Sequence, residues 1–154
     1  MGRQCMQSNT TGSNNVAMGW QALNNSSANS NTGIGYQALV NNTSGSENVA
    51  LGAESLRANT TAIYCTAVGF EALHDNTTGD YNVAVGGRAL DVNTTGTTNV
   101  AMGVNACGAQ TVANGNTAMG HNALMTNIES YNTAIGYAAM QSNTTGNYNV
   151  ALGS

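Results

Sequence analysis

The sequence predicts an all-β fold, a parallel β-solenoid of about nine coils of 16–17 residues, and three observations carry that expectation. A glycine preceded by a large apolar residue recurs at Gly2, Gly19, Gly35, Gly52, Gly69, Gly86, Gly103, Gly120, Gly136 and Gly153. The nine intervals between these glycines are all 16 or 17 residues, so residues 1–154 form a single repeat domain. Stacking the intervals brings residues of one chemistry into columns, and the turn sequence Asn-Thr-Thr-Gly punctuates most of them. Such a period is too short for a helix pair or for a propeller blade, which needs about 40 residues.

Each coil opens on an Asn, as at Asn82, followed by Val or Thr, a small residue and a large apolar one before the glycine. Asn-Val-Ala-Val-Gly reads as a strand, with Val83 and Val85 facing one way and Ala84 the other. Two variable residues and Ala-Leu follow, as at Ala89-Leu90, where a second short strand is expected. A second Asn column then opens the turn at Asn9, Asn42, Asn59, Asn76, Asn93, Asn127 and Asn143. Gly and Asn suit these turns, Gly because φ > 0 carries no steric penalty and Asn because it tolerates that region. The expected core is the large residue before the glycine together with the Leu or Met of the second limb. Stacked coils about 4.8 Å apart make every column a ladder, and nine of them make a rod of about 43 Å. Repeated Asn is expected to bond to Asn in the coils above and below, as in stacked amyloid ladders.

The small-residue column, Ala50, Ala67, Ala84, Ala101 and Ala118, admits two readings. It is either a seam where several rods pack chain to chain, or small because the interior is flat.

Composition excludes several classes. With a net charge of −4 and only Arg3, Arg57 and Arg88 as cations, the chain lacks the basic footprint that nucleic acid requires. No apolar run reaches the 18 residues of a membrane span, and no signal peptide stands at the start. The chain begins and ends in the same phase of the coil, the pattern expected of a window in a longer array or of units stacked end to end. Cys5, Cys65 and Cys107 fall in three different columns, so they read as free thiols and not as a disulfide framework.

No catalytic, cofactor or metal set emerges. Glu54 and Glu71 share a column with Arg88 following, near the carboxylate separation of a retaining glycosidase, but a flat ladder offers no cleft and the plain reading is a solvated edge with Glu71 beside Arg88. His74 and His121 lie in different columns, too far apart to cluster. Trp20, Tyr36, Phe70 and Tyr137 share the position after the glycine, and Tyr64, Tyr81, Tyr131 and Tyr148 the one before the Asn. Such rings could stack on a glycan, anchor a partner, or merely cover backbone. Asn9, Asn42, Asn59, Asn76, Asn93 and Asn143 also satisfy the N-glycosylation sequon, though turn chemistry accounts for them fully. A monomeric solenoid binding ice or glycan directly is the competing class; for ice, the Thr column before the small residue is mixed with Val, and the paired Thr of Asn-Thr-Thr-Gly point to opposite sides.

Asn-Val-Ala-Val-Gly-x-x-Ala-Leu, as in Asn82–Leu90, resembles the head repeats of YadA-type trimeric autotransporter adhesins. With its Asn-Thr-Thr-Gly turn it is similar also to the repetitive shafts of phage tail fibres. The resemblance covers the whole chain. It implies a left-handed parallel β-roll that forms a homo-oligomer (a trimer, or a filament stacked end to end), displayed outside the cell, on its surface or on a virion. It further implies a structural or adhesive, non-catalytic role with a host-surface glycan or receptor as partner.

Overall fold

The computed structural model describes residues 2–154. Nine three-residue strands lie side by side in chain order as one parallel sheet: β1 (Val16–Met18), β2 (Thr32–Ile34), β3 (Val49–Leu51), β4 (Thr66–Val68), β5 (Val83–Val85), β6 (Val100–Met102), β7 (Thr117–Met119), β8 (Thr133–Ile135) and β9 (Val150–Leu152). The register matches the repeat: Val68 pairs with Val85 and Val85 with Met102, while Ala67, Ala84 and Ala101 run alongside. Neighbouring parallel strands need a connection of a dozen or more residues. Here that connection is the remainder of the coil, so each winding rests on the last. The chain is a β-solenoid, and no helix forms among the described residues.

Among the described residues each coil carries a single strand. Around Ala89–Leu90 the expected second strand is replaced by turns. Arg88 and Leu90 hold φ of 57° and 52°, and the same two positions are left-handed in the neighbouring coils. The alternation lets the Arg88 N–H donate back to Phe70 O at 2.9 Å and the Leu90 N–H donate forward to Ala106 O at 3.0 Å. Inter-coil bonding is thereby kept without a pleated backbone. Left-handed backbone at a residue with a side chain costs about 1–3 kcal/mol, and it persists where the surroundings over-determine it. Glycine and asparagine thus supply fewer of the left-handed residues than the sequence suggests, because stacking forces Leu, Arg, Glu and Tyr into them as well. One glycine column does answer a double need. Gly86 has φ 131°, and a Cβ there would lie 2.6 Å from Gly103 O in the next coil.

The core is also distributed differently from the expectation. Leu23, Leu39, Leu56, Leu73, Leu90 and Leu124 are fully buried, as are Ala50, Ala67, Ala84, Ala101 and Ala118. The large residue before the glycine lies on the outer face of the sheet, where Met102 is 41% and Ile135 40% exposed. The reason is width. A Cβ on Gly33 would come 3.2 Å from Leu23 Cγ, so a small residue on the strand and a Leu from the opposite limb already fill the gap.

Both Asn columns are interior and tie coil to coil in two different ways. In the column before the strand, Asn99 Oδ1 accepts the Asn116 N–H at 2.9 Å and its Nδ2 donates to Ala113 O at 2.9 Å. Asn48 does the same with the Cys65 N–H (2.9 Å) and Ala62 O (2.8 Å). This column bonds mainly to backbone. The column at the turn forms the expected side-chain ladder, with Asn59 Nδ2 donating to Asn42 Oδ1 and Asn93 Nδ2 to Asn76 Oδ1, both at 2.8 Å. Gln110 interrupts it, because its amide turns to Ala113 O and Asn116, and Asn93 Oδ1 is left buried without a partner.

Candidate functional site

The outer face of the sheet is the most unusual surface of the rod. It carries two columns, Val or Thr at one position and Val, Met, Ile or Leu two residues on, with no charged residue in any of the nine strands. Strand alternation puts both columns on one side, since their partner Ala faces inward. A strip about 43 Å by 10 Å, or about 400 Å², follows from nine strand spacings and three residues of rise. Contiguous apolar patches of this size on soluble proteins often mark interaction sites.

Chain-to-chain packing along Ala50, Ala67, Ala84, Ala101 and Ala118 is therefore corrected. All five are fully buried inside their own coil. They offer no surface, and the face available for association is the opposite one. The sequence carried a signal for this: Thr replaces Val freely at Thr32, Thr66, Thr117 and Thr133, as a position in contact with water permits.

The aromatic columns are exposed and largely self-stacked. Trp20 lies on Tyr36 with ring centroids 5.0 Å apart, and Tyr64 on Tyr81 at 5.3 Å. Tyr137 stacks on His121 at 5.4 Å and Tyr131 on Tyr148 at 5.0 Å. Each spacing is close to the inter-coil distance, so the ladder itself aligns the rings face to face. Each stacked pair occupies one face of each of its rings, so a sugar would have to take the other face or the edge. Phe70 differs: its column neighbours are Ala53 and Gly87, and it is 51% exposed.

Four of the sequon asparagines, Asn42, Asn59, Asn76 and Asn93, are fully buried and hydrogen-bonded through their amides. A glycan on those amides is incompatible with the folded coil. Asn9 and Asn143 are half-buried, with Asn9 Oδ1 accepting from the Gly12 N–H at 2.8 Å and Asn143 Nδ2 donating to Asn127 Oδ1 at 2.9 Å. The first Thr of four successive turns, Thr43, Thr60, Thr77 and Thr94, is likewise spent on stacking. Thr77 Oγ1 donates to Thr94 O at 3.0 Å and Thr94 Oγ1 to Thr111 O at 2.9 Å. A regular array of free hydroxyls facing ice does not arise from that column.

The charged groups form small surface pairs. Arg88 Nε sits 2.7 Å from Glu71 Oε2, as the shared column suggests. Glu54 is approached by Arg57 Nε at 3.6 Å and by His74 Nε2 at 3.4 Å, while His74 Nδ1 meets Asp75 at 2.6 Å. Glu54 and Glu71 thus answer to different partners, and His121 lies apart against Tyr137. Among the described residues no group of three His, Cys, Asp or Glu is placed to hold a metal ion. No helix is long and apolar enough to cross a membrane.

The three cysteines are free. Cys65 fills an Asn position, where its thiol donates to Gly79 O at 3.2 Å and burial pushes its pKa up to about 11. Cys107 stands in the Leu column, and burial raises its pKa to about 12. Comparison with family models, with curated proteins and with solved structures returned no match.

Proposed function

We propose that this solenoid is a structural or adhesive segment of an extracellular, cell-surface or virion fibre, in which copies of the rod associate through the outer face of the sheet. The observation that supports this reading is the uncharged strip of Val, Thr, Met, Ile and Leu along all nine strands. Rungs of like residues, Val or Thr beside Val, Met, Ile or Leu, repeat at the strand spacing and make the strip complementary to another copy of itself along its length, which favours parallel rods. The trimer implied by the resemblance is the arrangement we propose. The exposed aromatic columns beside the strip are the candidate contacts with a host-surface glycan or receptor, and Phe70 is the ring best placed to offer a free face.

The test is solution mass. Sedimentation equilibrium of the chain should give three times the 15.6 kDa protomer at micromolar concentration. The pair Val85→Lys and Met102→Lys, both at half-buried or exposed outward positions, should return it to a protomer with its β-type circular dichroism intact. A protomer mass for the unaltered chain across the micromolar range would sink the reading.

A further inference from the structure

We propose that the Ala53 rung is a vacated place in the aromatic ladder that takes one pyranose unit of a glycan, held between Tyr36 and Phe70 and restricted to sugars whose ring substituents are all equatorial. This deepens the glycan contact proposed for the aromatic columns and rests on that reading, but it does not rest on self-association.

The slot follows from one column. After the glycine stand Trp20, Tyr36, Ala53, Phe70, Gly87 and Val104 in successive coils. Trp20 and Tyr36 stack with centroids 5.0 Å apart and planes 13° from parallel. That distance is close to the inter-coil spacing, so both rings lie across the rod axis. Tyr36 therefore spends one face on Trp20 and turns the other toward the Ala53 rung. There the column carries only a methyl, and Phe70 stands beyond it. Two coil spacings, about 9.6 Å, separate Tyr36 from Phe70. The two rings are 47% and 51% exposed, so the slot opens to solvent.

The width selects the kind of ring. A flat aromatic ring placed midway would stand about 4.8 Å from each wall, beyond the ~3.5–4.0 Å at which carbon atoms attract best. It can close on one wall but not on both. A pyranose chair is thicker, because its axial C–H bonds project from both faces, and it reaches the two walls together. The negative face of an aromatic ring receives the positively polarised hydrogens of those bonds. A sandwich places that demand on both faces of the sugar. An axial hydroxyl would drive a polar group against one wall, where it would lack a hydrogen bond. With every hydroxyl equatorial, both faces are apolar and the polar groups leave around the edge.

The neighbouring column suits a neutral polyol. One residue on from Tyr36, Ala53 and Phe70 stand Gln37, Glu54 and Glu71. Arg57 crosses this row, with its Nε donating to Gln37 Oε1 at 3.2 Å and lying 3.6 Å from Glu54 Oε2. Glu54 Oε2 also meets His74 Nε2 at 3.4 Å, and Glu71 is paired with Arg88 at 2.7 Å. Each carboxylate thus has a cationic side chain beside it, and donors and acceptors alternate along the row. Hydroxyl groups both donate and accept, so they can bond along it. A simple ion would meet a like charge as well as an opposite one.

The experiment is a titration of the whole chain, labelled at its alanine methyls, with methyl β-D-glucopyranoside, following the Ala53 methyl by NMR. A saturable shift with a Kd on the order of millimolar is expected. Methyl β-D-galactopyranoside, which differs only in one axial hydroxyl, should bind about fivefold more weakly, the factor for about 1 kcal/mol of unpaired hydroxyl. Phe70→Ala removes a wall and should weaken the glucoside by about the same factor. Ala53→Phe puts a ring of the column's own kind in the slot and should abolish binding, with circular dichroism unchanged. Sedimentation equilibrium on the same sample reads the fibre separately. A trimer whose Ala53 methyl ignores the glucoside overturns the slot and leaves the fibre standing; a protomer that binds it supports the slot and sinks the fibre. The slot is also overturned if the galactoside, or phenol as a flat ring, matches the glucoside, or if Ala53→Phe binds the glucoside like the parent chain.

Discussion

Replacing Asn99 by Ala isolates the bond that ties one coil to the next. Asn99 is fully buried. Its Oδ1 accepts the Asn116 N–H at 2.9 Å, and its Nδ2 donates to Ala113 O at 2.9 Å and to Asn82 Oδ1 at 3.1 Å. After truncation Ala113 O keeps the Gln110 amide at 3.0 Å, and Asn82 Oδ1 keeps the Asn99 N–H at 2.9 Å. The Asn116 N–H alone is orphaned, inside a coil where Asn116 is fully buried. An unsatisfied buried donor costs about 1–3 kcal/mol and each net hydrogen bond lost about 1 kcal/mol, so a destabilisation of about 2–4 kcal/mol is expected. Because a solenoid is held by nearest-neighbour interfaces, the damage should concentrate between the sixth and seventh strands. Urea unfolding followed by circular dichroism measures the total, and amide hydrogen exchange at Asn116 locates it. The solvent-exposed Asn147→Ala is the control, with a change within about 0.5 kcal/mol. If Asn99→Ala matched that control, or if Asn116 kept its protection, the claim that buried amides hold the coils together would be wrong.

Three further outcomes follow from the same geometry. Cys65→Asn restores the residue that the other coils carry, giving Gly79 O an amide donor and the next coil's backbone an acceptor; it should stabilise by about 1–2 kcal/mol in thermal or urea unfolding. Gly86→Ala places a methyl 2.6 Å from Gly103 O at a φ of 131°, and should destabilise by about 2–5 kcal/mol, read by the same unfolding curves. The buried thiols make stability fall at alkaline pH. Cys65 and Cys107 ionise near 9.0 when unfolded but only at about 11 and about 12 when folded, so their contribution is intact below pH 9 and is lost as pH rises toward those higher values. The variant carrying Cys65→Asn and Cys107→Leu should lack that part of the decline; equal slopes for the two proteins between about pH 9 and 11 would refute the assignment.

The repeat itself was legible in the linear chain because its causes are local and recur. Gly86 and its equivalents are needed wherever a coil passes under the next one, and Asn99 wherever two coils must be tied, so each winding writes the same residues again. Period, strand position, register and rod length all follow from that recurrence, and so does the pairing of Arg88 with Glu71. Which side of the strand faces inward did not follow. Val83-Ala84-Val85 alternates equally well with either face buried, and hydrophobicity alone favours the wrong one. Only the width of the folded coil decides it, since Leu from the opposite limb leaves room for Ala84 and not for Val85. The conformation of the second limb was hidden for a related reason: Arg88 and Leu90 take left-handed φ because inter-coil bonds demand it, against their own preference.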